Sequence, residues 1–423
     1  MVQQISGVVA RHVLPVALER IADDPVLLLE GPRTVGKSTL LRQLAEARGA
    51  ILLDLDDPAT REAVAADPAL FVSAPGTVCV DEYQRAPVVL DAIKAELNRD
   101  SRPGRFVLAG SARHDSLPQV AQALTGRLSR LTVYPLSQGE LMGTRGELVA
   151  SLFEDPVKVV AAEPISTTTR EEYIERLVAG GFPMALARRP SSRGRWFDDY
   201  VALTLERDVR ELSRVRQGAV LRALLSRLAS QTAQVLNIDA VARDLGMDHT
   251  TAESYTRLLE AVFLVFRLPA WGKALGSRTA ARPKLHVLDS GVAARLGRLS
   301  AERLGRRDPT ALTELGHLLE TFVVGELMKS ASWLDRVAVV GHWRTHDDDE
   351  VDLVVERDDG TIVAFEVKAA GRVSGDDLGP LRKLRARTGE RFVAGVVLYT
   401  GQRSYSYESR LHVLPIECIW KSR

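Results

Sequence analysis

Residues 31–38 read Gly-Pro-Arg-Thr-Val-Gly-Lys-Ser and stand directly behind the apolar run Val26-Leu27-Leu28-Leu29. Glycines at both ends of such a loop let the backbone curl until its N–H groups converge on phosphate oxygens. Lys37 supplies a cation for the β- and γ-phosphates, and Ser38 a hydroxyl ligand for Mg²⁺. A helix starting near Ser38 adds partial positive charge at the same place. Gly31, Pro32, Arg33, Thr34, Val35, Gly36, Lys37, Ser38 and Thr39 are therefore the expected nucleotide-binding residues. Further on, Thr77-Val78-Cys79-Val80-Asp81-Glu82 is a short apolar strand that ends in two carboxylates. On a neighbouring parallel strand, Asp81 would hold Mg²⁺ through its water shell and Glu82 would orient or deprotonate an attacking water. The plainer alternative is an acidic strand end that caps the next helix.

A second constellation lies near the C-terminus. Asp352 opens an apolar strand, and Glu366-Val367-Lys368 closes the next one. Side chains alternate along a strand, so Glu366 and Lys368 share a face that Asp352 can join. Asp352 and Glu366 could bind Mg²⁺ or Mn²⁺, with Lys368 positioning a water for attack on a phosphodiester. Glu320 or Glu326, on the preceding helix, could add another oxygen ligand. The spacing resembles that of PD-(D/E)XK nuclease cores, and a surface ion-pair network is the competing explanation. The run Asp347-Asp348-Asp349-Glu350 is read as a solvated turn rather than a metal site.

Elements that could position these groups follow from the apolar pattern. Five strand-like runs alternate with helical patterns: Val26–Leu29, Ala50–Leu55, Thr77–Val80, Phe106–Ala109 and Leu131–Tyr134. They predict a doubly wound parallel sheet covered on both faces, within an ATPase domain spanning 1–142. A polar stretch, 143–169, reads as a connector. Residues 170–305 read as mainly helical, with two short amphipathic helices around Gly246, a longer one, and then Val262–Phe266. Helix–turn–helix followed by a strand suggests a winged helix, which serves either DNA contact or protein packing. The section 306–423 returns to α/β: a helix over Leu312–Lys329, then strands at Val337–Val340, Val351–Val355, Ile362–Val367 and Val393–Leu398.

At 423 residues the chain is long enough for two or three domains. Its formal net charge of +1 carries no global nucleic-acid signature, so a DNA surface would have to be local, for instance the basic stretches Arg207–Arg227 and Arg372–Arg391. Two distant cysteines, Cys79 and Cys418, make no disulfide framework and fit a cytoplasmic setting. No stretch approaches the ~18 apolar residues that span a bilayer.

These landmarks together resemble a bacterial and archaeal family of AAA-type ATPases that carry a C-terminal domain of unknown function with a nuclease-like fold. The resemblance rests on Gly31–Ser38, Val80-Asp81-Glu82-Tyr83-Gln84 with Pro87, Leu108-Ala109-Gly110-Ser111, Thr125-Gly126-Arg127 and Gly180-Gly181-Phe182-Pro183. It continues through Arg207-Asp208-Val209, Leu288-Asp289-Ser290-Gly291, Glu320-Thr321-Phe322-Val323, Glu350-Val351-Asp352 and Glu366-Val367-Lys368. It implies that Ser111 senses the γ-phosphate and that Arg127 is an arginine finger for a neighbouring subunit, which would require a homo-oligomer. An intrachain salt bridge is the other role open to Arg127. Arg207 is implied as a second sensor, and Gly180–Pro183 reads as a structural turn. The expected function is ATP hydrolysis with Mg²⁺, coupled to DNA binding or processing. The alternative is an ATP-dependent protein switch whose nuclease-like domain docks partners.

Overall fold

A computed structural model describes residues 4–5, 7–113, 124, 126–162, 165–209, 218–272, 282–347 and 349–421. The N-terminal sheet has strands β1 (Val26–Glu30), β2 (Ile51–Asp54), β3 (Val78–Asp81), β4 (Phe106–Gly110) and β5 (Leu128–Thr132). Their order is β2-β3-β4-β1-β5, and every pairing is parallel. β1 lies between β4 and β5 and is buried along its whole length, which is why its residues form an unbroken apolar run. The fifth strand begins three residues before the expected Leu131–Tyr134. It is an edge strand on which Ser129 is half-buried and Arg130 exposed, so its apolar run understates its extent.

The stretch expected to be a connector, 143–169, instead carries the helices Leu148–Glu154 and Pro156–Ala162. Leu148, Val149, Leu152 and Phe153 recur at helical spacing and are buried in the core shared with the C-terminal module. The middle module contains helices Arg170–Ala179, Pro190–Leu203 and Gly218–Ala229, then β6 (Gln234–Val235), helices Ile238–Asp244 and His249–Ala261, β7 (Val265–Leu268) and β8 (Lys284–Val287). Only two helices flank Gly246, not three, because the expected second short helix and the longer one are a single helix capped by Asp248. β6, β8 and β7 form an antiparallel three-stranded sheet.

The C-terminal module opens with the helix Pro309–Ser332. It continues with the antiparallel strands β9 (Val337–Arg344), β10 (Glu350–Arg357) and β11 (Ile362–Lys368), then the helix Gly379–Thr388 and β12 (Phe392–Tyr399), which is parallel to β11. β13 (Tyr405–Glu408) and β14 (Leu411–Pro415) complete a six-stranded sheet in the order β13-β14-β12-β11-β10-β9. One apolar core runs from Leu27 and Leu29 through Tyr173 and Leu224 to Val323, Phe365 and Trp420, so the modules share their packing. A second core covers the other face of the N-terminal sheet, around Leu28, Val80 and Ile93.

Two motifs far apart in sequence meet where the modules join. Gly180 has φ +64°, and a Cβ there would lie 2.2 Å from Asp289 Oδ1. The Gly181 N–H donates to Asp289 Oδ2 at 2.7 Å, and the Gly181 carbonyl accepts from Leu136 N–H at 2.8 Å. Asp289 also caps the helix Ser290–Leu296 through the N–H groups of Gly291 and Val292. The structural turn expected at Gly180–Pro183 is thus a joint between the N-terminal sheet and the helical module.

Candidate functional site

The loop after β1 is shaped by close backbone approach. A Cβ on Gly31 would lie 2.3 Å from the Val133 carbonyl oxygen, and Gly36 takes φ +99° at the start of the helix Lys37–Arg48. Both positions therefore require glycine. Thr34 also adopts a left-handed conformation, at φ +63°. Lys37 is buried, and its ammonium donates to the carbonyls of Gly31 (2.9 Å) and Pro32 (2.8 Å), which holds it over the loop. Arg11, outside the motif, braces the loop by donating to the Val35 carbonyl at 2.6 Å and the Tyr134 carbonyl at 2.7 Å.

Asp81 closes β3 next to this loop, and its carboxylate hydrogen-bonds with the Ser38 hydroxyl. Burial pushes the Asp81 carboxyl above its ordinary range, and the bond from Ser38 works against that shift. A hydroxyl and a carboxylate form the hard oxygen set that Mg²⁺ takes, so this pair fits the ion. Glu82 is held in a left-handed conformation at φ +49° and is also buried. Its Oε2 accepts from Gln84 Nε2 and from the Ser111 hydroxyl at 3.4 Å, with Arg33 at 4.0 Å. Ser111, at the tip of β4, thus meets Glu82, and Gln84 bridges the two by a further 3.2 Å bond to Ser111.

Arg127 lies elsewhere. β1 and β5 pair in register from Val26↔Leu128 to Glu30↔Thr132, so Arg127 sits where the strands begin and the phosphate loop where they end. Its guanidinium donates to Asn98 Oδ1 at 2.9 Å on the exposed surface. Arg207 is exposed on the π-helical turn Thr204–Asp208. Thr125 and the side chain of Asp208 lie outside the described residues.

The C-terminal carboxylates do assemble, around a residue that the motif did not contain. Lys284 of β8 is buried, and its ammonium contacts Glu320 Oε1 at 2.5 Å, Asp352 Oδ1 at 2.9 Å and Glu350 Oε1. The second oxygen of Asp352 accepts from Val367 N–H at 2.9 Å, which fixes β10 against β11. Burial alone would discharge Lys284; Asp352, Glu320 and Glu350 outweigh it and hold the ammonium charged. Burial, reinforced by Asp352, pushes Glu320 well above the ordinary carboxylate range. The same two causes raise Glu366 to about 8. Glu366 Oε1 accepts from Lys368 at 2.9 Å, whereas its buried Oε2 has no hydrogen-bond partner among the described residues.

Two expectations change here. Glu326 does not reach the cluster: it pairs with Lys329 at 2.7 Å and accepts from Gln138 N–H at 2.7 Å, joining the helix Pro309–Ser332 to the N-terminal domain. Glu350, assigned to a solvated turn, belongs to the cluster because it sits two residues before Asp352 on the same strand and so faces the same way. The turn reading does describe Asp349, which is bonded by Lys383 and Thr345, while Asp348 lies outside the described residues. Arg11 and Lys284 carry no motif signal, and Gln84 stands in the quoted Val80–Gln84 motif without an assigned role; a lysine alternating with apolar residues in Lys284-Leu285-His286-Val287 is the sole hint of a buried cation.

Residues 23–142 match the family described as AAA domain. Residues 170–303 and 315–419 match two families, each described as a domain of unknown function (DUF8612 and DUF4143). The N-terminal region is thus an AAA-type P-loop domain. Uncharacterized proteins of Mycobacterium bovis and Mycobacterium tuberculosis are each 28% identical over 399 residues, covering 93% of this chain and 81% of theirs. Among solved structures, the Walker-type ATPase PABY2304 of Pyrococcus abyssi aligns with a TM-score of 0.41 at 16% identity, covering 68% of this chain and 96% of that one. AMPPCP-bound DnaA from Aquifex aeolicus aligns at 0.27 and 15%, covering 59% and 86%. No helix among the described residues is long and apolar enough to cross a membrane.

Proposed function

We propose that this chain hydrolyses ATP in its N-terminal domain and uses the cycle to act on DNA through its middle and C-terminal modules. The observation that carries the reading is the convergence of Lys37, Ser38, Asp81 and Glu82 at one end of the parallel sheet. Loop N–H groups and Lys37 bind the β- and γ-phosphates. Ser38 and Asp81 would hold Mg²⁺, which when bound neutralises phosphate charge. Glu82, restrained by Gln84 and Ser111, takes the proton of the attacking water.

Downstream, the order helix, strand, two helices, two strands over 218–287 supports the winged-helix reading. Helix, antiparallel β9–β10–β11, helix and parallel β12 support a nuclease-like reading of the C-terminal module, with Asp352, Glu366 and Lys368 on adjoining strands. The Lys284 ion pairs favour a second reading. An acidic cluster already neutralised from the middle module also suits an ATP-dependent protein switch, in which the C-terminal fold docks partners.

The deciding measurement is steady-state ATP hydrolysis with and without single- and double-stranded DNA, alongside Lys37→Ala. Stimulation by DNA that disappears in the variant supports action on DNA. Turnover indifferent to DNA moves the reading to the switch, and turnover surviving Lys37→Ala overturns the site itself.

A further inference from the structure

Glu320, on the helix Pro309–Ser332, and Glu350 and Asp352, on β10, bring their carboxylate oxygens within 4.8 Å of one another. Carboxylates this close repel unless a cation lies between them. Here the cation is an ammonium from a different module: Lys284 lies 2.5 Å from Glu320, 2.9 Å from Asp352 and in contact with Glu350. The ammonium donates hydrogen bonds to Glu320 and Asp352 and is ion-paired with Glu350. Oxygen ligands of Mg²⁺ or Ca²⁺ lie at about 2.0–2.6 Å, so the cradle that fits the ammonium also has the size for a divalent ion.

A second observation points to such an ion. Glu366 on β11 is buried next to Asp352, with Lys368 on one oxygen and, among the described residues, no hydrogen-bond partner on Oε2. A buried carboxylate oxygen left without a partner is costly. Lys284 answers the other three carboxylates, and Lys368 answers Glu366 on one oxygen only.

We propose that Glu320, Glu350 and Asp352, with Glu366 beside them, form a divalent-cation site that Lys284 holds shut by placing its ammonium where the ion would sit. Loading requires that Lys284 withdraw. Because Lys284 belongs to β8, the site reports how the middle module sits against the C-terminal sheet. Any movement that the N-terminal domain imposes on β8 becomes a change in metal affinity. The idea rests on the nuclease-like reading above only for the use of the metal, not for its gating.

The test is titration of the full-length, nucleotide-free chain with Mn²⁺, following free ion by electron paramagnetic resonance. Wild type is expected to bind no more Mn²⁺ than Asp352→Asn. Lys284→Ala is expected to gain a site at least about tenfold tighter, lost again in the Lys284→Ala/Asp352→Asn double variant. Lys284→Arg, which keeps the charge, should stay shut. Asp352-dependent binding in wild type as tight as in Lys284→Ala would overturn the gate, and so would absence of a new site in Lys284→Ala. Should Lys284→Ala fail to fold, Lys284→Met keeps the apolar stem and answers the same question. Metal uptake without DNA cleavage would leave the gate standing and remove the nuclease reading alone.

Discussion

Lys284 and Asp352 stand 68 residues apart in the chain and 2.9 Å apart in the fold, one on the middle module's sheet and the other on the C-terminal sheet. The pair is buried, so its loss is not a surface effect. Removing the ammonium leaves Asp352 and Glu320 facing Glu350 without their shared cation, and Glu350 keeps only Arg344, at 3.6 Å. Lys284→Ala in EDTA should cost about 3–5 kcal/mol, read from urea unfolding. The double variant Lys284→Met/Asp352→Asn should recover part of that loss, since it removes a charge of each sign together.

At the nucleotide site, Glu82→Gln keeps the hydrogen-bonding shape but not the base. Nucleotide affinity should stay near wild type while turnover falls about 10²–10⁴-fold. Gln84→Ala frees the Glu82 carboxylate from one restraint. It should lower kcat about tenfold with little change in KM. Fluorescent-nucleotide binding beside steady-state turnover separates the two effects.

Arg127 lies a strand's length, roughly 16 Å, from the phosphate loop of its own chain. If it serves a neighbour's nucleotide, Arg127→Ala and Lys37→Ala chains should each be inactive alone and should regain partial turnover when mixed. Mixtures that stay inactive would assign Arg127 to its surface bond with Asn98.

Asp289 satisfies three buried N–H groups, of Gly181, Gly291 and Val292. Asp289→Ala strands all three and should cost about 2–4 kcal/mol in chemical unfolding. Asp289→Asn, which still offers an acceptor, should cost less.

Glu366 retains its proton up to about 8 in the folded chain, because burial and Asp352 disfavour its charge. The unfolded chain releases that proton in the ordinary carboxylate range. Between those limits the native state holds the extra proton, so the stability it contributes is full in acid and is lost as pH rises toward 8. Glu366→Gln is neutral at every pH. Its stability relative to wild type should improve by more than about 1 kcal/mol from pH 5 to pH 8, measured by urea unfolding at each pH.

Several elements were legible from the residues because their physics is local. β1 and its loop form from contiguous residues, since an apolar run buried on both faces must lead into a turn that only glycine fits at Gly31 and Gly36. Asp81 is expected on a neighbouring strand, yet β4 lies between β3 and β1, and Asp81 reaches Ser38 because all three strands are parallel and end at the same side of the sheet. β5 begins three residues ahead of its apolar run because an edge strand tolerates Ser129 and Arg130. The helices within 143–169 were hidden by the polar residues that flank a short apolar stripe.

The sequence by itself determined the phosphate loop, the carboxylate pair at the end of β3, and the strand offset of Asp352 and Glu366, because backbone periodicity sets each within a few residues. Tertiary structure alone decided that Glu326 would face the N-terminal domain, that Glu350 would turn inward, and that Lys284 would sit among the carboxylates. Nothing in a strand's own periodicity says which foreign side chain will cover its face. That depends on how the two sheets pack around the helix Pro309–Ser332, where buried charges are tolerated only if a partner arrives from elsewhere in the chain.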